Sequence, residues 1–215
     1  MKAVLFDMDG VLFDSERVGK DVMMTALNEL GGDPAIVPFE KMLGVNAAAC
    51  NEMLWKEFGP DFPAEEMHRR FFAKMQHIAQ TGMPEKDGAH ECLAALKRAG
   101  YRLALASSSH RELVMTYFTH SSLNGLMDEM VCGGDVSRSK PQPDIYLKAA
   151  ERLGVPITAC AGVEDSRAGV ESIRRAGAAC VMVPDLLPYG PDFAPFVDVV
   201  LPSLRLLPEW LTQQK

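Results

Sequence analysis

Short apolar strands with no polar alternation constrain this chain most. Residues 2–6 read Lys-Ala-Val-Leu-Phe and run straight into Asp7-Met8-Asp9-Gly10. A strand with one wet face alternates apolar and polar side chains. An unbroken apolar run needs cover on both faces, as in a parallel sheet between two helix layers. Similar runs recur at residues 103–106, 160–163, 179–183 and 197–201, with a weaker one at 130–132. Helical patterns fall between them. Tyr146, Ala149, Ala150 and Leu153 lie on one helical face, with Asp144 the expected N-cap and Gly154 the stop. Cys92, Leu93, Ala95, Leu96 and Ala99 form another face, followed by Gly100, and Ser166 opens a third helix that ends at Gly177. This alternation predicts an α/β fold: an open, Rossmann-like, doubly wound parallel sheet.

The stretch from residue 16 to residue 82 breaks the pattern and holds no convincing strand. Val18, Val22, Ala26 and Leu30 give a helical stripe closed by Gly31-Gly32. Met53, Leu54 and Phe58, then Met67, Phe71, Phe72 and Met75, predict two further helices whose apolar side chains form the core of a small bundle. The expected organisation is a discontinuous α/β domain, residues 1–15 and 83–215, interrupted after its first strand by a helical domain, residues 16–82. Hinges are expected near residues 14–16 and 82–86.

Composition bounds the function. The chain has 215 residues, 47% of them hydrophobic and 24% charged, enough for a sizeable core. Its formal charge of −7 argues against a nucleic-acid partner. No apolar run approaches the roughly 20 residues of a membrane span, so no membrane association is expected. The apolar start is broken at once by Asp7 and Asp9, which is not the pattern of a signal peptide, so the expected location is the cytoplasm. Cys50, Cys92, Cys132, Cys160 and Cys180 are odd in number and widely spaced, so they read as small buried hydrophobes, neither a disulfide framework nor a zinc site. A monomer is expected.

Four polar segments carry the chemistry, three of them where a strand is expected to end. Ligands bind at the carboxyl ends of strands in open α/β sheets. Asp7-Met8-Asp9 offers two carboxylates two residues apart. Alone it reads better as a polar turn after a strand, and Gly10-Val11 does not fit the spacing of a calcium loop. Ser107-Ser108-Ser109 offers hydroxyls and N–H groups to phosphate oxygens, although serines also start helices. Lys140, in Ser139-Lys140-Pro141-Gln142-Pro143-Asp144, is a positive charge beside a proline. Glu164-Asp165-Ser166 sets two acids at the end of an apolar strand, where burial is costly unless a cation or hydrogen bonds compensate. Mg²⁺, a hard cation with oxygen ligands, is the natural compensation.

Taken together and in this order, the four segments resemble the motifs of the haloacid dehalogenase-like hydrolases. The resemblance rests on FDMDGVLFDSE, ALASSS, SKPQPDIY and GVEDSRAGVESIRRAGA, and it spans nearly the whole chain because the helical insert resembles the family's small cap. Within the family the chain looks most like the β-phosphoglucomutase and sugar- or polyol-phosphate phosphatase branch. The resemblance implies that Asp7 is the nucleophile that becomes an aspartyl phosphate, with Asp9 as general acid and base. It implies Mg²⁺ on the Asp7 side chain, the Asp9 carbonyl and the Asp165 side chain. Glu164 would support the metal from behind or act as a further ligand, the former being favoured. Ser107, Ser108 and Lys140 would hold the phosphoryl group.

A phosphatase for a small phosphorylated metabolite is the expected function. The mutases of this branch carry a histidine in the hinge, where this chain has Gly19. They carry an arginine after a cap Gly-Val, where Gly44-Val45-Asn46 here leads to Ala47. A phosphosugar mutase is the alternative, with Lys74 roughly where mutases have a cap lysine. A phosphate-binding pseudoenzyme is a further alternative. A receiver-type signalling domain is shorter, lacks the insert and has no use for Asp9 as an acid. Glu16, Arg17, Lys20, Asn46 and Lys74 are candidates for substrate contacts from the cap.

Overall fold

The computed structural model describes residues 1–37, 39–42 and 47–214, except for the side chains at 40, 41 and 47–49. The elements in chain order are β1 (Ala3–Phe6), α1 (Ser15–Glu29), α2 (Phe39–Met42), α3 (Ala47–Phe58), α4 (Ala64–Thr81), α5 (Ala89–Arg98) and β2 (Arg102–Ala106). Then follow α6 (Arg111–Thr119), β3 (Glu129–Val131), α7 (Asp144–Leu153), β4 (Cys160–Glu164), α8 (Arg167–Ala176), β5 (Ala179–Met182), β6 (Val199–Val200) and α9 (Leu207–Thr212).

The six strands form one sheet in the order β3-β2-β1-β4-β5-β6, and every pairing is parallel. Leu5 of β1 stands opposite Ala104 of β2 on one side and Gly162 of β4 on the other. The chain winds outward from β1 through β2 and β3, then returns to the far side of β1 for β4. Winding reverses between β1 and β4, so their carboxyl ends bound the crevice where such sheets bind ligands.

Both faces of the sheet are covered, which is why its strands lack polar alternation. Val4 and Phe6 of β1 join Leu93, Leu96, Phe118 and Leu207 in one core layer. Ala3 and Leu5 turn the other way, onto Tyr146, Ala149, Val170 and Ile173. A third cluster joins Met23, Ala26 and Leu27 of α1 to Leu54 of α3 and Met67 of α4.

The expected helix ends are largely as read. Ser166 caps α8 through its side chain, and Gly154 and Gly177 end α7 and α8 in the left-handed conformation. Asp144 is different: Pro143 occupies the cap of α7, and the Asp144 carboxylate instead takes two hydrogen bonds from Arg138, at 3.1 and 3.0 Å. Phe72 also departs from expectation. It shares the stripe of Met67 on α4 but is 59% exposed, because its face of the helix turns toward a cavity and not into the bundle core. The five cysteines are buried and no disulfide joins them. Among the described residues no helix is long and apolar enough to cross a membrane.

Candidate active site

The loop after β1 is built to present two carboxylates on one side. Asp7 still hydrogen-bonds to β4, its N–H donating to the Val163 carbonyl at 3.0 Å. The chain then tightens, with the Leu12 and Phe13 N–H groups donating to the Met8 carbonyl at 2.9 and 3.1 Å. Met8, Val11, Leu12 and Phe13 are wholly buried, and Phe13 packs edge-on against Tyr117 and Phe118. Anchoring Met8 in the core leaves Asp7 and Asp9, its neighbours, lining a cavity of about 860 Å³. Gly10 has a φ of +74°, and a side chain there would run into the Asp165 carboxylate.

Lys140 ties the first and fourth segments together. Its ammonium touches Asp7 Oδ1 and donates to Glu164 Oε1 at 2.6 Å, 5.2 Å from the centre of the Tyr146 ring. Burial works against its charge, but Asp7 and Glu164 outweigh that and hold it protonated. Glu164 is fully engaged. Oε1 accepts from Lys140 and from the Tyr146 hydroxyl at 3.0 Å, and Oε2 accepts from the Asp165 N–H, the Ser166 N–H and the Ser166 hydroxyl. Burial opposes its ionisation, yet Lys140 and Ser166 keep its pKa below the ordinary value. Asp7 lies on the other side of the balance. Burial and the Glu164 charge push it up to about 8, with Lys140 pulling against them.

Asp9 is held by hydroxyls. Ser15 donates to Oδ1 at 2.5 Å and Ser109 to Oδ2 at 3.1 Å. Burial raises its pKa despite these two bonds, which favours a carboxyl that keeps its proton. Ser107 is buried beneath the cavity, its Oγ accepting from the Ser109 N–H at 3.1 Å, while Ser108 lines the cavity itself.

Asp165 is the group whose surroundings do not balance. It is 4% exposed, and among the described residues no group donates a hydrogen bond to its carboxylate. Burial and the acids Glu164, Glu16, Asp7 and Asp185 push its pKa well up. Carboxylate oxygens of Asp7, Glu164 and Asp165 lie within 4.8 Å of one another, and so do those of Glu16, Asp165 and Asp185. Carboxylates clustered this closely, with Asp165 lacking any donor of its own, fit a hard divalent cation such as Mg²⁺. Because all its hydrogen bonds are taken up, Glu164 is better suited to orient its neighbours than to bind a metal directly.

The cap candidates diverge. Glu16 lines the cavity, and burial followed by Asp185 raises its pKa to about 7. Arg17 turns aside to Asp185 and Asp14, at 2.8 and 3.3 Å. Lys20 stands over the Phe39 ring, and Lys74 pairs with Glu29 at 2.6 Å, outside the cavity lining. Gly19 lines the cavity, whereas Gly44, Val45 and Asn46 and the side chain of Ala47 lie outside the described residues. Sequence reading took Tyr146 only as core and passed over Asp185. Tyr146 sits on α7 and its partner Glu164 at the end of β4, a pairing that local pattern does not reveal. Asp185 follows β5 closely and obeys the same strand-end rule as the other acids. Ser15 stood in the first motif without an assigned task.

The fold and these side chains define a hydrolase-type site at the switch point of a doubly wound sheet. The family model described as haloacid dehalogenase-like hydrolase matches residues 4–183. CbbY of Rhodobacter capsulatus is 30% identical over 216 residues, covering 90% of each chain. The phosphorylated carbohydrates phosphatase of Thermotoga maritima is 29% identical over 177 residues, covering 82% of each. The crystal structure of a hydrolase of the same family from Deinococcus radiodurans, with bound phosphate and sodium, superposes with a TM-score of 0.83. It is 29% identical, with 99% of this chain and 96% of the other covered. The chain belongs to the haloacid dehalogenase-like hydrolases and is a phosphohydrolase among them.

Proposed function

We propose that the protein hydrolyses the phosphate monoester of a small metabolite in two steps through an aspartyl phosphate on Asp7. One observation carries this reading: Asp7 lies at the cavity floor against the Lys140 ammonium, with Asp9 facing the same cavity and its pKa raised by desolvation. Asp7 attacks phosphorus and the ester oxygen leaves. Asp9 gives its proton to that oxygen, then takes one from the water that attacks the aspartyl phosphate. A poor leaving group needs such an acid. Lys140 offsets the charge gathering on the phosphoryl oxygens. The Ser107 hydroxyl, its oxygen already accepting from Ser109, has its own proton to give to a phosphoryl oxygen, and the Ser108 N–H would assist.

Mg²⁺ would be held by the Asp7 side chain, the Asp9 carbonyl and the Asp165 side chain, and would supply charge neutralisation at the phosphoryl group. The imbalance at Asp165 supports this assignment. Residues 16–82 would act as a cap over a core of residues 1–15 and 83–215. The two connections between them run side by side, with Asp14 N–H donating to the Pro84 carbonyl and Lys86 N–H to that of Leu12, at 2.8 and 2.9 Å. Closure over the site would exclude bulk water from the first step. The five buried cysteines support a reducing, cytoplasmic setting.

The test is phosphorus NMR of the protein with Mg²⁺ and a panel of sugar, polyol and short-acid phosphates, with Asp7→Asn as control. Free phosphate should appear with the parent and not with the variant. Phosphate that moves between sugar positions without release would establish a mutase instead.

A further inference from the structure

The cavity has two chemically distinct ends. Its floor carries Asp7, Asp9, Lys140 and Asp165, where a phosphate group would react. The opposite wall comes from α1, α2 and α4 and presents Met23, Phe39, Met42, Phe71, Phe72 and Met75. Among the described residues, the polar side chains that α1 and α4 add to the lining are Ser15, which donates to Asp9, Glu16, which faces the acids of the floor, and His68, whose ring stacks along Phe72. Phe72 is 59% exposed at the cavity and meets Phe71 edge-on at 5.4 Å. Lys74 and Arg70 on the same helix are paired with Glu29, and neither lines the cavity.

We propose that the substrate is a phosphate monoester whose organic part presents an apolar or aromatic face to this wall, not an open-chain polyol. This narrows the substrate class and rests on the phosphoryl-transfer reading of the cavity floor. At about 860 Å³ the cavity lies toward the upper end of the range for small-molecule sites, with room for an organic part well beyond the phosphate. Thioether and aromatic side chains gain by covering apolar surface and by stacking on a planar ring. A polyol against the same wall gives up hydrogen bonds to water and finds few replacements. The exposed Phe72 is apolar surface that an apolar ligand would remove from water.

The test compares ligands that share one head group. Calorimetry with the Mg²⁺-loaded full chain measures Kd for 3-phenylpropylphosphonate and for 3,4-dihydroxybutylphosphonate, neither of which can be hydrolysed. The phenyl compound should bind tighter by about tenfold or more, in line with apolar-pocket discrimination. Phe72→Gln should cut that ratio severalfold, chiefly by weakening the phenyl compound. Because Phe72 is already exposed, this variant is expected to fold. In parallel, phosphate release is measured from 2-phenylethyl phosphate and sorbitol 6-phosphate, both alkyl esters, so that leaving-group basicity does not decide the comparison. A higher kcat/KM for the phenyl ester is expected. Equal or reversed affinities, or a ratio untouched by Phe72→Gln, would overturn the substrate class while leaving phosphate release intact. A clear binding preference with no turnover of either ester would uphold only the wall's ligand preference and count against the phosphatase reading, and with it against a substrate.

Discussion

Gly169→Ala tests whether Glu164 organises the site. Ala normally stabilises a helix interior by about 1 kcal/mol relative to Gly, so propensity alone predicts a more stable protein. The structure predicts the opposite. A Cβ on Gly169, in the first turn of α8, would overlap the carboxyl group of Glu164, which is fully buried and accepts from Lys140, Tyr146, Asp165 and Ser166. The carboxylate must retreat, and it cannot do so and keep all its donors. Hydrogen bonds to charged groups are each worth about 1.5–3 kcal/mol. Losing two of them, less the helix gain, leaves a net destabilisation of about 2–5 kcal/mol. At about 2–4 °C per kcal/mol for a chain of this size, Tm should fall by roughly 4–20 °C. Lys140 would shift with Glu164, and a misplacement of about 1 Å costs about 10²-fold in rate. Thermal melts by circular dichroism and steady-state phosphate release measure both effects. Gly134→Ala is the control, since nothing lies within 4 Å of its added Cβ. A Gly169→Ala protein as stable and as active as the parent would refute the reasoning.

The metal-free protein should lose stability as pH rises. Asp7 sits at about 8 and Asp165 well above its usual value, so the native state holds protons that the unfolded chain releases from about pH 4 upward. Mg²⁺ competes with those protons, so melts in chelator and in Mg²⁺ should diverge more at pH 8 than at pH 5.5. The gain is about 2.7 kcal/mol at a hundredfold excess over Kd, and Mg²⁺-independent melting at both pH values would count against the cation site. Phe13→Ala removes a wholly buried ring that anchors the loop carrying Asp7 and Asp9, and chemical denaturation should show a loss of about 3–5 kcal/mol. Asp9→Asn keeps the shape but has no proton to give. Turnover of alkyl phosphates should fall by about 10²–10⁴-fold, and an undiminished rate would exclude Asp9 as the acid.

Much of the fold was legible because burial on both faces leaves a direct mark on composition. Runs such as Ala3-Val4-Leu5-Phe6 have no polar alternation for the same reason that both helix layers exist. The site segments were legible because acids, hydroxyls and a lysine stand where those runs end. Helix stops at Gly154 and Gly177 were local backbone chemistry. The rest depended on contacts between distant elements. Ser109 reaches Asp9 across a separation of 100 residues, and Arg17 of α1 and Lys86 of the segment before α5 converge on Asp185. Phe72 shows the boundary most plainly, since helical spacing marks a stripe as apolar without saying whether core or cavity faces it. The chain's own pattern thus determined the layered parallel sheet and the polar groups at its strand ends, since both follow from neighbours along the chain. Tertiary structure alone decided which carboxylates share a cation-sized space, which are neutralised by Lys140, and which apolar side chains face a ligand. Those outcomes depend on burial and Coulomb interaction between elements that sequence separation does not order.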